Sequence, residues 1–185
     1  SKAYQDRRGM TVAGVSQKVM NRYRDWIREN DHIDGGILPP PVTEFCMAKG
    51  DYDPHGRIVV GWMGRPLEDK GLMTLPYLLA ENPRIVIRAW TGAETAGLDY
   101  TLRVQGEAMG AVMKLARKLG VDDRLDVRSL DFNALSYRHR LEGCHVLLGN
   151  SKKEGFLLTA AEALSCGIPV VVTKTCGIAD FIKNG

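Results

Sequence analysis

Short β-branched apolar runs alternate with longer stretches of helical period along this chain. Residues 11–15 read as a strand and residues 16–29 as a helix, with Ser16 as its N-cap and Val19, Met20, Tyr23 and Ile27 along one face. Gly35-Gly36 and Pro39-Pro40-Pro41 break the chain around Ile37 and Leu38, and the Pro-, Gly- and Asp-rich residues 39–56 read as a connecting loop. A second block opens with a buried strand over 57–62, then a helix over 71–81, a strand over 84–89 and an amphipathic helix over 107–119. Met109, Val112, Met113 and Ala116 are the inner positions of that helix, and Gly120 ends it. The remaining elements are a strand over 124–128, a helix over 133–141, a strand over 145–148, a helix over 157–165 closed by Gly167, a strand over 168–173 and a helix starting over 178–183.

The strand runs are continuously apolar, as in parallel strands covered on both faces. Strand and helix in repeated alternation predict an α/β fold: a Rossmann-like, doubly wound parallel sheet. Such sheets bind ligands at the carboxyl ends of their strands, which directs attention to the loops after Trp62, Ala89, Arg128, Leu148 and Thr173.

Length and composition narrow the reading. At 185 residues the chain suits one domain plus a small extension, and 44% hydrophobic with 25% charged residues is the balance of a folded protein. A formal net charge of +3, from 25 basic and 22 acidic residues, gives no ground for a nucleic-acid partner. Cys46, Cys144, Cys166 and Cys176 form no Cys-x-x-Cys pair and stand near no His at zinc-site spacing, so reduced, mostly buried thiols of a cytoplasmic protein are expected. No apolar run approaches the ~20 residues that span a bilayer.

Three strand-to-helix loops carry chemistry. In the first, Gly61 and Gly64 allow close backbone approach, while Arg65 and Lys70 set two cations beside a helix start, suited to a diphosphate without a metal ion. Solvated charge beside a turn is the alternative. In the second, Glu154 sits at the turn with Gly155, Phe156 and Leu157 after it, and Glu162 lies further along the helix. Two carboxylates can accept sugar and ribose hydroxyls, and the first amides of the helix suit phosphate. Glu162 lies among alanines and leucine, so it either faces a ligand cleft or pairs with a cation. The third runs from Thr173 to Asp180. Gly177 there could let backbone approach phosphate, and Asp180 in the first helical turn favours the helix electrostatically.

These residues together resemble the large glycosyltransferase family that includes bacterial mannosyl- and glucosyltransferases and glycogen and sucrose synthases. Glu154 and Glu162 have that family's Glu-x7-Glu spacing, followed by Gly167-Ile168-Pro169-Val170-Val171-Val172-Thr173, and Gly64-Arg65 with Lys70-Gly71 is similar to its glycine-basic loop. Val15-Ser16 and Ile37-Leu38-Pro39 are similar to the segment leaving the family's first domain. The resemblance implies one half of a GT-B fold. Residues 1–40 would be the segment leaving an N-terminal acceptor domain, and 41–185 the nucleotide-sugar donor domain, inactive alone. It implies a retaining hexosyl transfer from a nucleotide-diphosphate sugar to a glycan, lipid or small-molecule acceptor, with no metal and no other cofactor. Arg65 and Lys70 would bind the diphosphate, Glu154 the donor sugar and Glu162 the ribose, with Gly64, Gly155, Phe156, Leu157 and Gly177 lining the donor site. The family often has Pro-Ser before the first Glu and Gly after the Phe. Here Asn150-Ser151 and Leu157 stand in those regions, and Cys176-Gly177 with Asp180 replaces two glycines and a Glu.

Asp51-Tyr52-Asp53 spells the Asp-x-Asp string of metal-dependent glycosyltransferases, but in a linker and not at a strand end. His139 and His145 read as a surface-helix and a strand-start residue. Arg22, Arg24 and Arg28 with Trp26 could touch anionic lipid at the inner membrane face, against the alternative of a solvated helix face. A non-catalytic nucleotide-sugar-binding scaffold and a sugar-nucleotide epimerase are the rival functions.

Overall fold

The computed structural model describes residues 11–30, 33–40, 42, 53, 55–91, 99–129 and 140–183. Its first unit is a parallel strand–helix–strand: β1 (Thr11–Gly14), α1 (Gln17–Glu29) and β2 (Ile33–Ile37). Ser16 caps α1 through its hydroxyl, which accepts from the Val19 amide. Met20 and Ile27 are the buried positions of that helix. Tyr23, expected on the same inner face, is 47% exposed, because α1 rests on the narrow pair β1–β2 and on one turn of the larger unit, which together cover only a thin stripe of it.

The larger unit is a parallel sheet in the order β5-β4-β3-β6-β7. Its strands are β3 (Ile58–Met63), β4 (Ile85–Thr91), β5 (Leu125–Ser129), β6 (Val146–Gly149) and β7 (Val170–Val172). The connecting helices described are α2 (Leu75–Glu81), α3 (Asp99–Lys118) and α4 (Leu158–Ser165). Side chains on successive residues of a strand point to opposite faces. Val60 and Trp62 of β3 accordingly join Leu72, Leu75, Val112 and Ala116 on one side, while Met63 joins Leu147, Phe156, Ala160 and Ile178 on the other. Both faces are thus covered, as the apolar strand runs require.

Several boundaries differ from those read in the sequence. β2 was not expected; it forms across Gly35-Gly36 because β1 supplies its backbone partners. The helix expected over 71–81 begins with a 3-10 turn, Leu72–Thr74, after Gly71 takes a left-handed φ of +78°. α3 starts earlier than residue 107 and runs through Gly106 and Gly110. The helix expected from 178 is a single 3-10 turn, Gly177–Asp180, whose Gly177 and Ile178 amides bond instead to the Glu154 and Phe156 carbonyls. Of the helix expected over 133–141, residues 133–139 lie outside the described residues, and Arg140 and Leu141 form a turn. Most of the linker over 39–56, with Asp51 and Tyr52, His139 and Cys46, also lies outside them.

Candidate functional site

The sheet order sets the site. From β3 the chain winds outward through β4 and β5, then returns to the other side of β3 as β6 and continues to β7. The winding reverses between β3 and β6, and the crevice beyond the carboxyl ends of two such strands is where open α/β sheets hold ligands. The loops leaving β3 and β6 carry Arg65, Lys70 and Glu154.

Lys70 and Glu154 meet there: the Lys70 ammonium donates to a Glu154 carboxylate oxygen, with side chains only 13% and 24% exposed. Arg65, in the same loop as Lys70, is exposed and makes no ion pair with any described residue. A second bond between the loops joins the exposed Lys152 and Glu68 at 2.7 Å, and the Lys152 amide donates to the Asp69 carbonyl. The hydrogen bond from Lys152, aided by its charge, holds the Glu68 carboxyl below its usual range.

Asn150 fixes the two loops beneath these charges. Its Oδ1 accepts from the buried Trp62 indole N–H at 2.8 Å, and its Nδ2 donates to the Gly71 carbonyl at 2.9 Å and to Thr74 Oγ1 at 2.6 Å. A Cβ on Gly71 would stand 2.6 Å from Asn150 Nδ2, so glycine is required there by space as well as by φ. The sequence signal that could have found Asn150 is Trp62 itself, since a buried indole N–H demands an acceptor.

The loop after β7 closes the far side. Glu154 forms a parallel bridge with Cys176, and the Gly177 amide donates to the Glu154 carbonyl at 3.1 Å. A Cβ on Gly177 would lie 1.9 Å from the Gly155 carbonyl oxygen and 2.7 Å from Ser16 Oγ. Ser16 Oγ also donates to the Gly155 carbonyl at 2.9 Å, which links α1 to the Glu154 loop. Lys18 of α1 reaches the Asp180 carboxylate at 2.7 Å and the Cys176 carbonyl at 3.0 Å. Asp180, expected in the first turn of a helix, instead ends a single 3-10 turn and pairs with α1. None of these contacts to α1 is visible in sequence spacing.

Gly155, Phe156 and Leu157 lead into α4. Phe156 is buried in the core, and Leu157 holds the only left-handed backbone of any non-glycine among the described residues, at φ +81°. Glu162 is half-buried on α4, beside buried Ala163. His145 at the start of β6 accepts the Val59 amide on Nδ1, a structural contact. Asp53 of the Asp-x-Asp string accepts the His55 amide in a local turn.

Residues 47–185 match the family described as family 4 glycosyltransferase in conflict systems. The chain belongs to that family. Its glycosyltransferase relatives include the D-inositol 3-phosphate glycosyltransferase of Streptomyces bingchenggensis, 32% identical over 121 residues, which are 62% of this chain and 24% of that protein. Solved structures share the fold at lower identity. Anabaena HepE in complex with UDP and glucose superposes with a TM-score of 0.72 at 18% identity, over 95% of this chain and 47% of HepE. The glycosyltransferase of Rickettsia africae gives 0.72 at 15%, over 99% of this chain and 50% of its own. The UDP-forming trehalose-phosphate synthase of Burkholderia xenovorans gives 0.70 at 15%, over 92% and 48%. The chain thus spans about half the length of these structures. As a family-4 glycosyltransferase domain it has the Rossmann-like half of a GT-B architecture.

Proposed function

We propose that the chain carries the nucleotide-sugar donor site of a retaining hexosyltransferase. Residues 41–185 form the donor domain, and 1–40 the segment that leaves an N-terminal acceptor domain. The observation that supports this reading is the meeting of Lys70 and Glu154 at the switch point of the sheet, with unpaired Arg65 in the same loop. An ammonium group has three donors. Lys70 can therefore hold Glu154 and a phosphate oxygen together, which sets the carboxylate beside the sugar attached to that phosphate.

In this reading Arg65 and Lys70 grip the diphosphate and stabilise the negative charge that grows on it as the sugar leaves. Gly64 and the backbone of Gly155, Phe156 and Leu157 approach the donor closely, while buried Gly177, whose amide is given to the Glu154 carbonyl, braces that loop. Glu154 accepts from sugar hydroxyls, and Glu162 from the ribose. Two cations and the first amides of α4 neutralise the diphosphate, so no metal and no cofactor is needed. The UDP bound by HepE makes a uridine nucleotide the first candidate. The acceptor is a glycan, lipid or small molecule presented by the acceptor domain, and the reaction belongs to cytoplasmic glycan assembly. Among the described residues no helix is long and apolar enough to cross a membrane. Exposed Trp26 on α1, with Arg22, Arg24 and Arg28, is the part through which the protein would touch a membrane peripherally.

Calorimetric titration with UDP, GDP and ADP and their sugar conjugates tests the reading. Saturable binding to one base is expected, unchanged by a chelator and weakened about 10–100-fold by Arg65→Ala. Binding that ignores Arg65→Ala, or that vanishes with the chelator, overturns it. Turnover of the nucleotide sugar to an isomer without any acceptor would favour an epimerase instead.

A further inference from the structure

One cavity of about 340 Å³ lies against the α1 side of Glu154, and neither Arg65 nor Lys70 lines it. Five cations do: Lys18 and Arg22 from α1, Lys152 and Lys153 from the loop after β6, and Lys174 from the loop after β7. Glu154 is the one carboxylate in its wall, and that carboxylate already faces Lys70. Lys18 and Lys152 are held by Asp180 and Glu68, while Arg22, Lys153 and Lys174 make no ion pair with any described residue. Lys18 and Arg22 are four residues apart and so lie on one face of the helix. Like charges gathered from three separate segments repel one another. Their convergence on one concavity is not a by-product of local sequence, and it leaves the cavity with an unbalanced positive charge.

We infer that this cavity binds a phosphate monoester carried by the acceptor. The inference rests on the donor-site reading above and adds the chemical class of the acceptor. Arg22, Lys153 and Lys174 supply charge-assisted donors for a dianion, and Arg22 can bond two of its oxygens in parallel. The volume is at the small end of the ~300–1,000 Å³ usual for small-molecule sites, which suits a phosphorylated sugar or polyol and not a polymer. Glu154 is shared by the two places: it pairs with Lys70 of the donor loop and forms the wall of the cavity. An anion seated there stands beside the donor sugar but outside the diphosphate's own cations. It is therefore placed to hold the molecule that receives the sugar. The segment that supplies Lys18 and Arg22 is also the one assigned above to the acceptor half. In the transfer, an acceptor hydroxyl oxygen bonds the anomeric carbon, the bond from that carbon to the diphosphate breaks, and the hydroxyl proton passes to the departing diphosphate or to solvent. The phosphate monoester is unchanged and only anchors.

The test titrates the full-length protein, first with UDP and then, with UDP saturating, with inorganic phosphate and with glucose 6-phosphate. Arg22→Gln/Lys174→Ser and Arg65→Ala are carried beside the wild type. Phosphate should bind in the presence of UDP and weaken about tenfold or more in the double variant, which keeps its UDP affinity. Arg65→Ala should do the reverse. Phosphate binding that is absent, indifferent to Arg22→Gln/Lys174→Ser, or competitive with UDP and lost in Arg65→Ala overturns the inference alone. Binding of an oligonucleotide or heparin through Arg22 and Lys174, without binding of phosphate, also overturns it, in favour of a polyanion. UDP binding that ignores Arg65→Ala sinks the donor-site reading, and the acceptor assignment with it.

Discussion

Lys70 and Glu154 are 84 residues apart in the chain, yet they form one ion pair across the loops of adjacent central strands. Each is largely shielded from water, so removing either leaves the other poorly compensated. The two removals should nonetheless read differently. Lys70→Ala takes a cation from the diphosphate and should weaken UDP binding about tenfold or more. Glu154→Gln keeps the shape, frees Lys70 and should leave UDP affinity within a few-fold while turnover of the nucleotide sugar collapses. Parallel calorimetry and initial-rate measurements separate these outcomes. Equal loss of UDP affinity in both variants would mean the pair acts only as a brace.

Leu157 enters α4 with φ +81° and ψ +75°, a backbone region costly for any residue with a Cβ. Its side chain is accepted because Gly149 is empty beneath it: a Cβ there would lie 2.3 Å from Leu157 Cδ2. The usual order of substitutions should therefore invert. Leu157→Ala loses packing and keeps the strain, whereas Leu157→Gly loses packing and releases it, so the glycine variant should be the more stable by about 1 kcal/mol. Elsewhere in a helix or strand glycine is the less stable of the two. Urea unfolding of both variants decides the sign, and alanine the more stable would mean that the left-handed backbone is not strained here.

The legibility of this fold follows the range of the forces. β3, β4 and β6 could be read because a strand buried on both faces must be apolar throughout, and Gly120 and Gly167 mark helix ends with left-handed backbones. β2 could not be read, since its Ile-Asp-Gly-Gly-Ile sequence is held by pairing with β1 and not by its own propensity. Local chemistry and family spacing single out Arg65, Lys70, Glu154 and Glu162, and the topology brings the loops of the first three together. The partners that fix those loops were invisible for a plain reason. Asn150 under Trp62, and Ser16 against Gly155 at a separation of 139 residues, are contacts made only when the chain is folded.

The cysteines should differ sharply in reactivity. Cys144 and Cys176 are buried and free, and Cys166 is partly exposed. Burial pushes the Cys144 thiol up, with the Arg88 charge opposing it, so at neutral and mildly alkaline pH Cys144 carries less thiolate than an ordinary cysteine. Its labelling should rise only as the pH approaches that elevated range or the protein unfolds. Native-state alkylation read peptide by peptide in a mass spectrometer should, among these three described cysteines, modify Cys166 first and spare Cys144 and Cys176. Modification of Cys144 at the rate of Cys166 would refute its burial.

Ser16 and Gly177 meet at the same carbonyl, that of Gly155, and there α1 is fastened to the donor loops. Ser16 is wholly buried, and its hydroxyl both accepts the Val19 amide and donates to Gly155. Ser16→Ala removes the cap and leaves a carbonyl without its donor, which should cost about 1–2 kcal/mol. Gly177→Ala drives a methyl to within 1.9 Å of that carbonyl, so the turn must shift, and a larger loss is expected. The added methyl also collides with Ser16 Oγ, so part of its cost should vanish once Ser16 is alanine. The double variant should then lose less than the sum of the two single losses, as residues sharing a contact do. Strict additivity in denaturant unfolding would mean that α1 and the Glu154 loop are not coupled through this junction.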